Sequence, residues 1–221
     1  QTERGPGACL RWYYPCRSGG LYSRNARSRW DRGCAVLSQP ADSRPYSKAV
    51  WHYARGMAFV AKNNLPDAEK ELKEIEKLRT NKDVEELIIW EINSAGILIK
   101  IAYEVLSGEI AAKNKDYNAA IAHLKKAVEL EYTLRYDEPP TWFYPCSQNL
   151  GAVLIEAGKY AEAEKVYLKN LEDVPENGWA LFGLHQSVLK QNRIDEAAEI
   201  QKRFNEAWKN ADVTLTSSRI M

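Results

Sequence analysis

The stretch from Tyr144 to Pro175, YPCSQNLGAVLIEAGKYAEAEKVYLKNLEDVP, constrains this chain more than any other. Leu150, Val153 and Leu154 recur at helical spacing and form one apolar face, and Gly151 within it lets a neighbouring helix come close. Gly158 supplies the positive φ that ends this first helix. In a second helix, Ala163 is the small residue at the crossing, Val166, Tyr167, Leu171 and Val174 continue the buried stripe, and Pro175 marks the stop. Such a hairpin cannot bury both of its faces alone. It predicts further hairpins stacked beside it.

Composition allows this. The chain has 221 residues, 45% of them hydrophobic, which suffices for a sizeable core. No apolar run reaches the roughly 18 to 20 residues of a membrane span, because Glu91, Lys100 and Glu104 interrupt the region around ILIKIA. No membrane partner is expected. No signal peptide is evident at the start; a cytoplasmic location is favoured, with a secreted or periplasmic mature chain left open. Cys9, Cys16, Cys34 and Cys146 are too scattered for a disulfide framework, and no pair has C-x-x-C spacing, so no metal site is expected.

The net charge of +1 hides an asymmetry, since residues 1–44 carry eight arginines against Glu3, Asp31 and Asp42. This stretch also holds Trp12, Tyr13, Tyr14, Tyr22 and Trp30 and sustains neither a helical nor a strand period. Arginine interleaved with aromatics suits phosphate contact and base stacking. The near-neutral chain as a whole instead favours an irregular lead-in over a nucleic-acid arm. A third reading is a segment foreign to the fold, for RWYYPC at 11–16 echoes TWFYPC at 141–146 without the helix that should follow.

From Ser47 the helical signal is continuous. A first repeat is expected at 49–82 with Gly56, Ala68, Leu72 and Ile75 in register, and a second at 101–134 with Gly108, Tyr117, Ala120, Leu124 and Ala127. Between them, residues 83–100 are read as an extra helical insertion, with VEELIIWEI a short amphipathic helix and ILIKIAYEVL a helix enclosed by others. After the second repeat, Pro139-Pro140 forces an extended passage through LRYDEPPTWFYP, which is either a lid at the edge of a groove or an aromatic plug between hairpins. The third repeat covers 144–177. The fourth, 178–211, maps Leu150 to Leu184, Gly158 to Asn192 and Ala163 to Ala197, and puts His185 where the close-packing glycine belongs. Its last helix reads as a cap with Ile200, Phe204, Ala207 and Trp208 inward. Residues 212–221 form a short tail expected to lie along the last hairpin or to fray.

These residues and spacings resemble the tetratricopeptide repeat (TPR) proteins over 47–211. The strings WHYARGMAF, RYDEPPTWFYP, ENGWALFGL and ADVTLTSSR are similar to the C-terminal part of a bacterial TPR group without an assigned activity. The resemblance implies an all-α, right-handed superhelix of antiparallel helical hairpins, a TPR-like α-solenoid, whose first helices line a concave groove that binds peptides, proteins or further copies of the chain. Groove-facing positions by this mapping are Tyr53, Met57, Val105, Glu109, Gln148, Asn149, Ala152, Trp179, Phe182, Gln186 and Lys190. Only Asn149 matches the clamp by which some members hold a C-terminal carboxylate, so no clamp of that kind is expected.

A catalytic reading finds little. His52, His123 and His185 fall in different repeats, a Cys146–His185 pair rests only on adjacency of repeats, and no P-loop or dinucleotide fingerprint occurs. The expected function is a non-enzymatic scaffold with no cofactor that binds a protein or peptide segment. The alternatives are a self-associating array and an enzyme of unrecognised type.

Overall fold

A computed structural model of the chain describes residues 44–219. The readings of the basic, aromatic stretch over 1–43 fall outside the described residues. Within them, α1 (Pro45–Ala61) and α2 (Leu65–Leu78) form a hairpin, followed by α3 (Lys82–Glu85) and a ribbon of β1 (Ile88–Ile89) and β2 (Asn93–Ser94). Three more hairpins follow, α4 (Ala95–Lys113) with α5 (Tyr117–Glu131), α6 (Cys146–Glu156) with α7 (Tyr160–Asp173), and α8 (Gly178–Lys190) with α9 (Ile194–Trp208). Each second helix packs on its own partner and on the first helix of the next hairpin. Successive first helices also touch, α1 on α4, α4 on α6 and α6 on α8. This is an all-α solenoid, in which each hairpin covers the apolar flank its predecessor leaves open.

The four hairpin turns share one backbone solution. Asn63, Lys115, Gly158 and Asn192 all take positive φ, between 57° and 74°, at the same position of each repeat. In each turn the next amide reaches back across the helix end, Asn64 to Phe59, Asp116 to Ala111, Lys159 to Leu154 and Arg193 to Val188. These are left-handed helix terminations that satisfy carbonyls otherwise left bare. The glycine at 158 signals one of them. Asn63 and Asn192 are of the next residue type that accepts this conformation, and Lys115 takes it without such a preference.

The inserted region differs from expectation. VEELIIWEI is not a helix: only Val84 and Glu85 are helical, and Ile88–Ile89 pairs antiparallel with Asn93–Ser94 around a turn in which Trp90 and Glu91 have positive φ. Tertiary contacts decide this. Asn93 is buried, its amide donates to the Arg135 carbonyl and the Thr141 hydroxyl, and its carbonyl oxygen accepts from the Arg135 amide. The ribbon is thereby fastened to the proline-containing loop between α5 and α6. Trp142 of that loop is buried against Tyr53, 5.6 Å between ring centroids, while Phe143 and Tyr136 stay exposed. The helix after the ribbon, α4, is buried on nearly all sides because α1, α2, α5 and α6 surround it.

The tightest approach centres on Tyr167 of α7, which is fully buried. A methyl group at Gly151 would sit 2.3 Å from its Cζ, and one at Gly183 would sit 2.2 Å from the same atom. The ring is thus held between α6 and α8, with a glycine on each side. His185 stands at the position of the close-packing glycine in the fourth repeat and lines the cleft between α8 and α9. The close approach falls on Gly183, and also on Gly178, which makes room for Trp208. Ala207, expected inward on α9, is exposed.

Because the phenol is clamped from both sides it cannot yield to an added methyl. Gly151→Ala and Gly183→Ala should each lower stability by about 1–3 kcal/mol, the usual cost of overpacking. Urea unfolding of the two variants and of the double variant checks this, the double falling short of additivity because both act on one ring.

Candidate functional site

The segment after α9 stays beside the last hairpin as far as Leu215 and then leaves it. The Trp208 indole donates to the Val213 carbonyl (2.8 Å), Leu215 is buried, and the chain then crosses the face presented by the first helices α8, α6 and α4. At Ser218 the backbone carbonyl accepts from the Tyr144 hydroxyl (2.9 Å), and the side chain shares a hydrogen bond with the Tyr167 phenol (2.5 Å). Burial pushes the Tyr167 phenol well above its ordinary pKa, so the hydroxyl stays protonated. Residue 218 is therefore read through its backbone and its hydroxyl together.

Arg219 is the anchor of this arrangement. Its Nη1 lies 3.1 Å from Glu109 Oε2 on α4, and its Nη2 donates to Glu156 Oε1 on α6 at 2.7 Å. Asn149, also on α6, donates from Nδ2 to the other oxygen of Glu109 (2.8 Å) and fixes that carboxylate's orientation. Glu109 has no exposed surface and Arg219 only 5%. Burial raises the Glu109 carboxyl above its usual range, against the pull of Arg219 and Asn149. Removing one partner of such a buried pair typically costs about 3–5 kcal/mol, because the other is left uncompensated. Arg219 Nη1 also donates to Glu109 Oε1 at 3.2 Å, so that oxygen accepts from both Asn149 and Arg219.

The expected groove residues divide into three groups. Glu109 and Asn149 meet at the arginine seat, and Gln148 and Ala152 are buried on the same helix as Asn149. Phe182, Gln186 and Lys190 line an open cleft of about 600 Å³ together with Phe204, Trp208 and Leu215. Trp179 stands edge-on to Tyr144 and Trp208 beside it. Tyr53 and Met57 lie apart from both groups, packed in the cluster around Trp142 and Ile101. Val105 belongs to that same buried cluster and so is core, not groove. Sequence reasoning missed Tyr144, Glu156, the Tyr167 hydroxyl, Ser218 and Arg219. Glu156 had a signal, for Asn149, Ala152 and Glu156 recur at i, i+3 and i+7 on α6.

The conceivable Cys146–His185 pair is not assembled. Cys146 is buried with Leu98 and Trp142, and burial beside Glu131 pushes its thiol pKa up, whereas His185 lines the open cleft. A thiol held protonated there is a poor nucleophile. Among the described residues no group of three or more His, Cys, Asp or Glu is placed to hold a metal ion, and no helix is long and apolar enough to cross a membrane.

No protein-family model matches this sequence, and no curated protein does. Among solved structures, a crystal structure of MamA protein aligns with a TM-score of 0.49 at 16% identity, covering 86% of this chain and 90% of its own. A structure of MamA AMB-1 aligns with the same TM-score at 17% identity over 84% and 93% of the two chains. Likeness at that level transfers no ligand and no activity.

The Glu131 carboxyl accepts from the Cys146 backbone N–H (2.8 Å) at the start of α6, and burial lifts its pKa from 4.5 to about 7. A carboxyl raised in the folded state binds its proton more tightly there than in the unfolded chain. Its contribution is full below about pH 4.5 and is lost as pH rises through about 7. Urea unfolding should therefore show a decline on the order of 2 kcal/mol across that window. Glu131→Gln, which cannot titrate, should remove it.

Proposed function

We propose that this chain is a helical-repeat scaffold of tetratricopeptide type that binds an extended segment of another protein across the face of α4, α6 and α8. The observation that carries the reading is the path of residues 213–219. They run over that face and fix themselves through a backbone carbonyl, which any peptide offers, and through the Ser218 hydroxyl and the Arg219 guanidinium, which only particular side chains supply. One half of the face is filled in this way. The other half, beside Phe182, Gln186 and Lys190, is an open cleft with aromatic walls. Aromatic anchors in such clefts carry most of the energy of peptide binding, and a ring of polar neighbours selects among ligands.

In this reading Phe182 and Trp179 provide apolar contact, and Gln186 and Lys190 provide polar selection at the open end. Glu109, Gln148, Asn149 and Ala152 form the floor of the filled end. No catalytic group and no cofactor is needed for this activity.

A random-peptide display library panned against the full chain tests the proposal. Enriched peptides should bind the wild type, and Lys190→Glu, an exposed change that leaves the core alone, should weaken them by about tenfold, or about 1.4 kcal/mol. Phe182→Ala should weaken them more. Peptides that bind equally well to both variants, or an absence of enrichment, would overturn the proposal.

A further inference from the structure

Glu109 poses a question that the scaffold reading alone does not answer. A carboxylate without exposed surface on α4 is unfavourable unless a cation meets it. Arg219 meets it, arriving from a residue 110 positions away in sequence. The seat is built for a fork-shaped cation and not for a point charge. One guanidinium nitrogen faces Glu109 and a second bonds Glu156, so two helices are bridged by one planar group. Asn149 holds Glu109 in place, and the hydroxyls of Tyr144 and Tyr167 read the preceding residue. What the seat holds is a bent segment, with bends at 216–219 and the Arg219 amide donating to the Ser217 hydroxyl, in which a small hydroxyl residue is followed by arginine.

Arg219 Nη1 donates to Glu109 Oε1 (3.2 Å) and lies 3.1 Å from Oε2, whereas Arg219 Nε bonds neither helix. The occupant is lightly tethered. Residues 211–214 are exposed, and the Trp208 indole of α9 donates to the Val213 carbonyl. Release of the segment therefore requires no change within α9. The open cleft runs up to Leu215, so a segment entering there meets the seat along the same path.

We propose that the Glu109–Glu156 seat recognises the arginine of a bent segment in a partner protein, and that residues 213–219 are an internal competitor which the partner displaces. The proposal rests on the reading of this face as segment-binding and goes beyond it by naming the residue recognised and the regulation.

The test uses full-length protein and synthetic peptides of sequence ADVTLTSSRIM, in which the arginine is kept or replaced by lysine or glutamine. Arg219→Glu puts a third carboxylate at the seat and should free the segment, seen as faster hydrogen exchange at residues 213–218. Arg219→Gln is the milder second variant should the first fold poorly by circular dichroism. The freed protein should bind the arginine peptide at least about 30-fold more tightly than the glutamine peptide, with the lysine peptide between them. The wild type should bind it at least about tenfold more weakly, because the internal copy competes at high effective concentration. Glu109→Gln in the freed protein should abolish the preference.

Equal binding of the three peptides would overturn the arginine assignment and leave segment binding on this face intact. Unchanged exchange at 213–218 in both Arg219 variants would overturn the role of Arg219 as anchor. Failure of all peptides to bind the freed, folded protein would overturn the proposal, whereas the library result bears on the face as a whole. A wild-type dimer that the arginine peptide dissolves would assign the seat to a second copy of the chain and overturn the assignment to a different partner.

Discussion

The Tyr167 ring, clamped between Gly151 and Gly183, is the contact through which the fold of this chain reaches its functional face. Three helices from two hairpins are fixed by one side chain that has no free volume on either side. The same ring carries its hydroxyl to Ser218 on the face of the first helices. Packing between repeats and the position of a recognition group are therefore one geometric fact. A larger residue at either glycine would shift α6 or α8 and with it Asn149 and Glu156, which α6 carries.

A second constraint is electrostatic. Several ion pairs among the described residues are surface pairs three residues apart on one helix, such as Lys70 with Asp67 and Lys202 with Glu199, and these contribute little. Glu109 differs because it has no solvent to fall back on. Its burial raises the cost of an empty seat, and Arg219 lowers that cost without satisfying every polar atom around it. The result is a face that is half filled and half open. The filled half is polar and geometrically exacting. The open half is aromatic and tolerant.

The repeats were legible because helical hairpins advertise themselves locally. Gly151, Ala163 and Tyr167 stand at fixed offsets, and the same offsets recur from Gly56 and Gly108 onward. Of the four left-handed turn residues, Gly158 and Asn192 were legible because Gly and Asn accept positive φ at helix ends, and Asn63 is of the same kind, whereas Lys115 carries no such signal. The ribbon at 88–94 was misread as a helix for a related reason. Its sequence has helical spacing, but Asn93 finds partners at Arg135 and Thr141, more than forty residues away, that a helix would not let it reach.

The sequence by itself determined that this chain makes stacked helical hairpins, for that follows from spacings of three and four residues and from small residues at crossings. The resemblance to tetratricopeptide repeats, not the periodicity, suggested that Glu109, Asn149, Phe182 and Gln186 share one side. Only the tertiary structure decided that residues 213–219 turn back over that side and that Arg219 meets Glu109. The physical reason is range. Periodicity reports which face of a helix is apolar, whereas an ion pair between residues 109 and 219 exists only after three hairpins have closed the distance between them.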